Sequence, residues 1–197
     1  MNPVSSNFHE DAEFLRSSTW SRLSNKVVMS YFEYLESTYP SAGKIIKELV
    51  HNPESIEGRY PINHVGRILS LHQEETLIFI PFVYPNHIVV ITIDFVLKQV
   101  QYYDSKATPA EGNIPYPEFS IHRELQRLFT LCFPDEKVCN IVENTNRHQA
   151  WYDPVSCGVF AMTYIKRRLM GHSFAEIMQT MEDACTCRNK LAVDLAG

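Results

Sequence analysis

Apolar residues change their spacing along this chain, and each change marks an element. In RLSNKVVMSYFEYLEST (22–38), Leu23, Val27, Val28, Tyr31 and Leu35 fall on one face of a helix. Ser24 or Asn25 can cap its start, and Pro40 lies beyond its end. A second helix is predicted over SAGKIIKELV (41–50). Residues 51–75 carry Pro53, Gly58, Pro61 and Gly66 and read mostly as loop. Then the period shortens. TLIFIPFV (76–83), HIVVITIDF (87–95) and QVQYYDS (99–105) are rich in β-branched and aromatic residues and read as strands. The first two are apolar nearly throughout, as expected of central strands covered on both faces.

The second half alternates. A Pro/Gly loop (ATPAEGNIPYP) leads to a helix in EFSIHRELQRLFTLCF, and KVCNIVEN (137–144) reads as a strand. After the polar link TNRHQAWYDPV, a helix is expected over SCGVFAMTYIKRRLMG, with Gly171 as its stop. SFAEIMQTMEDAC is predicted as the last helix, opened by a Ser173/Glu176 capping box. Residues 1–19 are polar and read as a flexible N-terminal arm. The pattern is that of a single α+β domain, a central mixed β-sheet flanked by helices, over residues 20–197.

Composition narrows the function. Hydrophobic residues are 45% and charged residues 21% of the chain, the balance of a folded globular domain. A net charge of −5 argues against nucleic acid, because phosphate binding needs a concentrated positive face. No apolar run reaches the length of a membrane span, and the N-terminus has no apolar signal core. The five cysteines, at 132, 139, 157, 185 and 187, form no disulfide framework and no zinc-site spacing, so reduced thiols in a cytoplasmic compartment are expected.

One cysteine stands out by position. In YDPVSCGVF (152–160), Cys157 opens a helix rather than sitting within it. Unsatisfied N–H groups and the helix dipole there favour a thiolate, and Gly158 leaves room for a carbonyl to approach the sulfur. A thiol nucleophile needs a base, and the base needs an orienting group. His9, His51, His64, His72, His122 and His172 have surface or capping contexts. His87 opens a strand. If 87–95 and 99–105 pair as a hairpin, Asp104 returns to its side and can hold one ring nitrogen. An oxyanion donor is expected just upstream of Cys157. Gln149 is the candidate, with Asn144, Asn146 and the ring N–H of Trp151 as rivals.

These blocks together resemble the ubiquitin-like-protein proteases of peptidase clan CE, which include SUMO and NEDD8 proteases, bacterial effector deubiquitinases and the adenoviral protease. The counterparts are RLSNKVVMSYFEYL (22–35), IPFVYPNHIVVITIDF (80–95), YYDS (102–105) and QAWYDPVSCGVF (149–160). The order His, Asp, Gln, Cys is the reverse of papain's, where the cysteine comes first. The likeness implies a papain-like fold in which His87 is the general base, Asp104 its orienter, Cys157 the nucleophile and Gln149 the oxyanion donor. It implies no cofactor and no metal. It further implies a monomer that binds ubiquitin or a ubiquitin-like protein such as SUMO or NEDD8, threading a Gly-Gly tail through a narrow tunnel. Ile88 and Arg22 stand where the family carries tunnel tryptophans, with Trp20 or Trp151 as stand-ins, and Ser156 replaces the acid before the cysteine. Gly158 completes the expected substrate-binding set.

The likeness makes deubiquitinase activity the first expectation, that of a bacterial effector secreted into a host cell. The segment of about 38–75 is expected to be a substrate-binding insertion, and Glu74, Glu75 and Asp153 to face ubiquitin's basic surface. Two other classes remain open: a Yop-type acetyltransferase, and an inactive module that binds a ubiquitin-like protein without cutting it.

Overall fold

The computed structural model describes residues 5–17, 22–47, 69, 72, 74–84, 87–107 and 121–197. Its helices are α1 (Ser5–Ser17), α2 (Asn25–Thr38), α3 (Ile121–Cys132), α4 (Cys157–Leu169), α5 (Phe174–Thr180) and α6 (Ala184–Ala196). Five strands, β1 (Lys44–Ile45), β2 (Leu77–Tyr84), β3 (His87–Asp94), β4 (Gln99–Tyr103) and β5 (Ile141–Glu143), form one mixed sheet in the order β1-β2-β3-β4-β5. The outer pairs are parallel and the two inner pairs antiparallel. This is the α+β arrangement expected from the pattern.

The sheet is covered on both faces, as the apolar runs require. Alternation sends Ile88 and Val90 of β3 to one side, among Tyr31, Phe32, Phe160 and Ile165 of α2 and α4. Val89, Ile91 and Ile93 go to the other, against Leu125, Leu128 and Phe129 of α3. Polar contacts fix how α4 lies on β3. The Tyr164 hydroxyl is 2.9 Å from Thr92 Oγ1 and donates to Gln101 Oε1 at 3.1 Å. One turn further, Arg168 forms a buried ion pair with Asp94 at 2.9 Å. Sliding α4 by a turn would strand these buried groups without partners, at about 1–3 kcal/mol each.

Three expectations are corrected. The helix predicted over 41–50 gives way, within the described residues, to a turn and β1. Gly43 lets the chain approach β2 so closely that a Cβ there would lie 2.9 Å from the Leu77 carbonyl oxygen. Lys44 and Ile45 then pair with Ile78 and Phe79, the open edge of β2 outweighing local helix propensity. Most of the 38–75 insertion, residues 48–68, 70–71 and 73, lies outside the described residues.

The predicted last helix breaks at Met181, whose backbone is extended. The Asp183 carboxylate accepts from the N–H groups of Cys185 and Thr186 and starts α6, a further helix. The Ser173 hydroxyl does cap α5, accepting from Glu176 N at 3.1 Å, and Gly171 stops α4 at φ +91°.

The supposed arm is ordered over Ser5–Ser17 as α1, which packs on α6 with Ala12 and Leu15 fully buried. The apolar positions Phe8, Ala12 and Leu15 form a narrow stripe that needs α6 as its partner. Leu15→Ala is expected to destabilise the domain by about 2–5 kcal/mol in urea melts, where a loose arm would cost under about 0.5 kcal/mol.

Candidate active site

The hairpin register brings His87 and Asp104 together. β3 and β4 pair from Asp94↔Gln99 to Val90↔Tyr103, so β4 leaves the sheet at Asp104 close to the start of β3. There His87 Nε2 donates to Asp104 Oδ1 at 2.7 Å. The same carboxylate oxygen accepts from Lys106 N at 2.8 Å, and Asn144 clamps the backbone on both sides. Asp104 N donates to Asn144 Oδ1 at 2.8 Å, and Asn144 Nδ2 donates to the Asp104 carbonyl at 2.7 Å.

Cys157 arrives from the opposite element, as the first residue of α4. His87 has spent Nε2 on Asp104, and its buried Nδ1 has no hydrogen-bond partner within ordinary limits. Nδ1 is therefore the nitrogen left for the thiol, and the two side chains interact. Burial alone would lower the imidazole's pKa, but hydrogen bonds to Asp104 and Cys157, and their charges, lift it to about 9. Burial alone would push the Cys157 thiol up. The His87 hydrogen bond and charge, the Ile88 N–H and the Lys106 ammonium pull it below the ordinary thiol range instead. Both directions favour a thiolate–imidazolium pair. The other buried or half-buried thiols, Cys132 and Cys187, move the opposite way because burial dominates there.

The loop between β5 and α4 is braced from within. Gln149 is 0% exposed. Its Nε2 donates to the Asp153 carbonyl at 2.6 Å, and its Oε1 accepts from Ser105 Oγ at 2.8 Å. It thus ties the residue after Asp104 to the loop before Cys157. Of its rivals, Asn144 is engaged at Asp104 and Asn146 Nδ2 donates towards α5 at the Met178 carbonyl. Trp151 is 82% exposed and stands edge-on to Tyr152, outside the site's interior.

The expected substrate contacts divide. The Ile88 side chain is packed in the core, so its part in the site is its N–H towards Cys157. Gly158 faces Leu23 rather than open space; a Cβ there would lie 3.3 Å from Leu23 Cδ1. Ser156 is buried and Arg22 is exposed, while Trp20 lies outside the described residues. Asp153, expected on a surface meeting ubiquitin, is only 6% exposed and bonded within its loop, so it cannot serve that face. Glu74 is exposed and Glu75 half-buried.

Ser105 and His148 are supporting residues that sequence reasoning did not find, and Asn144, considered there as an oxyanion donor, instead braces the Asp104 backbone. His148 stacks on Tyr103, and its two nitrogens meet the Tyr103 hydroxyl and the Met178 carbonyl, each at 3.2 Å. Only YYDS, in which Ser105 follows the acid, carried a sign of any of them. Among the described residues no His/Cys/Asp/Glu group could hold a metal, and no helix is long and apolar enough to cross a membrane.

No family model and no curated protein matches the chain. Its likeness is to solved structures. It superposes on the C-terminal Ulp1 protease domain in complex with Smt3, the yeast ortholog of SUMO, with TM-score 0.63 and 15% identity over 95% of this chain and 81% of that one. It matches the Ulp1-like SUMO protease catalytic domain of Chaetomium thermophilum with TM-score 0.62 and 14% identity, over 100% and 89% of the two chains. The Chlamydia trachomatis effector protein Cdu1 bound to ubiquitin gives TM-score 0.52 and 14% identity over 88% and 90%. The chain therefore has the fold of the clan CE cysteine proteases.

The thiol's low pKa depends on His87. At pH 7 the wild-type imidazole is protonated, since its pKa is raised to about 9, and its charge lowers the pKa of the Cys157 thiol. In His87→Ala the two largest opponents of burial are lost, leaving only the Ile88 N–H and the Lys106 charge, and the thiol pKa rises. Iodoacetamide alkylation of Cys157, followed by peptide mapping, should slow about tenfold or more at pH 7, one decade for each unit of upward shift.

Proposed function

We propose that this chain is a cysteine isopeptidase that cleaves after the C-terminal Gly-Gly of ubiquitin or a ubiquitin-like modifier, with ubiquitin first and SUMO or NEDD8 as alternatives. The observation that carries the reading is that His87 is held by Asp104 through Nε2 and interacts with Cys157, with its buried Nδ1 left for the thiol. The fold shared with a Smt3-bound protease domain and a ubiquitin-bound effector supports the modifier class. The same proposal makes the chain a bacterial effector, in keeping with the second of these, and places its action in a host's reducing cytoplasm.

In this reading the Cys157 thiolate attacks the carbonyl carbon of the terminal glycine. Negative charge moves onto the carbonyl oxygen, where the first N–H groups of α4, which have no intrahelical acceptor, meet it. Gln149, whose amide carries two N–H bonds, is the proposed second donor. The His87 imidazolium then gives its proton to the leaving lysine amine as the carbon–nitrogen bond breaks, leaving a thioester on Cys157. Neutral His87 next takes a proton from water as the hydroxyl adds to the thioester carbonyl; the carbon–sulfur bond then breaks, the glycine carboxyl is released, and Cys157 returns as thiolate beside the His87 imidazolium. Asp104 keeps its charge throughout and holds the ring by Nε2. No step calls for a metal or cofactor.

Ubiquitin, SUMO and NEDD8 carrying a C-terminal propargyl group should separate the alternatives, with one captured covalently at Cys157 and no adduct formed by Cys157→Ala. Binding without capture would make the chain a reader module, and self-acetylation by acetyl-CoA would make it an acetyltransferase. On the modifier so identified, His87→Ala should lower kcat by about 10²–10⁴-fold, the usual contribution of a positioned acid–base group.

A further inference from the structure

The acid that the clan CE pattern places directly before the cysteine is Ser156 here, yet a carboxylate still reaches that spot. Asp153 folds back along its own loop, and its Oδ1 accepts from Val155 N at 2.9 Å and from Ser156 N at 3.1 Å. Its own N–H donates to the Ala150 carbonyl at 3.0 Å, and its carbonyl accepts from Gln149 Nε2 at 2.6 Å. The N–H, the carbonyl and Oδ1 of Asp153 are thus all engaged between Gln149 and Ser156, on residues that lead into Cys157. Burial would push this carboxyl's pKa up, but the hydrogen bonds from Ser156, Val155 and Gln149 hold it below the usual range, so it stays ionised. Its charge also favours the cation of Arg188, an almost fully buried residue of α6.

The loop is thereby pinned at both ends. At one end His148 N and Gln149 N donate to the Ser105 carbonyl, next to Asp104. At the other, the Asp153 carboxylate sets the backbone turn from which α4 begins. Between them lies the span that determines how close the first residue of α4 comes to the end of the hairpin.

We propose that Asp153 is a positioning residue for Cys157, its carboxylate holding the Val155 and Ser156 N–H groups so that the sulfur meets His87 Nδ1. It does so from three positions upstream of Ser156 (156 − 153 = 3). The inference rests on Cys157 being the nucleophile proposed above, but its test needs no substrate.

The pH dependence of Cys157 alkylation by iodoacetamide, measured alongside the melting temperature, reads the sulfur's pairing with His87 directly. In Asp153→Ala the profile should shift up by about one pH unit and the rate at pH 7 fall about tenfold, since each unit is a decade in thiolate fraction. Asp153→Asn keeps an oxygen acceptor at the same atom and should restore the rate to within about threefold of wild type. Should Asp153→Ala fail to fold, Asp153→Glu takes its place with the same expected shift, because it keeps the charge and misplaces the acceptor by one methylene. A folded Ala or Glu variant that melts lower but keeps the wild-type profile would overturn the proposal, leaving Asp153 a structural turn residue. That result would leave the isopeptidase reading standing, and failure of every modifier probe would leave the thiol profile interpretable.

Discussion

A single imidazole must serve two partners at once, and the rest of the molecule is arranged so that it can. His87 binds Asp104 through one ring nitrogen and faces Cys157 with the other, and the three side chains come from β3, the end of β4 and the start of α4. The energetics are those of a coupled pair in a partly dry place. Burial opposes charge on both the imidazole and the thiol, but each charge is the other's remedy, and Asp104 tips the balance towards the ionised pair. Removing any of the three leaves the others with the cost of burial and without its compensation.

Such a pairing demands that a helix and a hairpin keep a fixed register, which a greasy interface alone does not guarantee. The two elements that carry His87 and Cys157 are also joined further along by Tyr164 with Thr92 and by Arg168 with Asp94. A buried ion pair contributes little net stability after desolvation, but it penalises every arrangement in which its members do not meet. The polar contacts beneath the sheet therefore serve the site at a distance, fixing which residue of α4 lies against the start of β3. Gln149, Ser105 and Asn144 do the same at close range, linking the Asp104 turn to β5 and to the loop before the cysteine.

Much of this was readable from local signals. β2, β3 and β4 are runs of β-branched and aromatic residues whose period needs no distant partner to be recognised, and a short turn between β3 and β4 implies the hairpin. From the hairpin follows the proximity of His87 and Asp104. Cys157 was legible because helix N-termini have a fixed polarity, and Ser24 and Ser173 because a capping hydroxyl acts within four residues. The misses share a different cause. SAGKIIKELV has helical spacing, yet residues 44–45 join the exposed edge of β2. The polar N-terminal segment gains a helix from α6, and α6 begins where Asp183 offers its carboxylate to the backbone. Asp153 reads as a surface acid in the chain and is a buried brace in the fold.

Residue types, periods and order along the chain thus settled the α+β class and the central strands, and singled out a cysteine, a histidine and an aspartate at plausible separations. Which ring nitrogen meets which partner, whether Ile88 contributes a side chain or an N–H, and whether Gln149 faces the solvent or braces two loops were decided on folding. The reason is range. Periodicity and capping act over a few residues and leave their mark on neighbours in the chain, whereas hydrogen bonds such as those from Ser105 to Gln149 and from Asp104 to Asn144 join groups 44 and 40 residues apart. Groups so far apart meet only once packing has excluded water and chosen, among many polar side chains, the few that end up within reach.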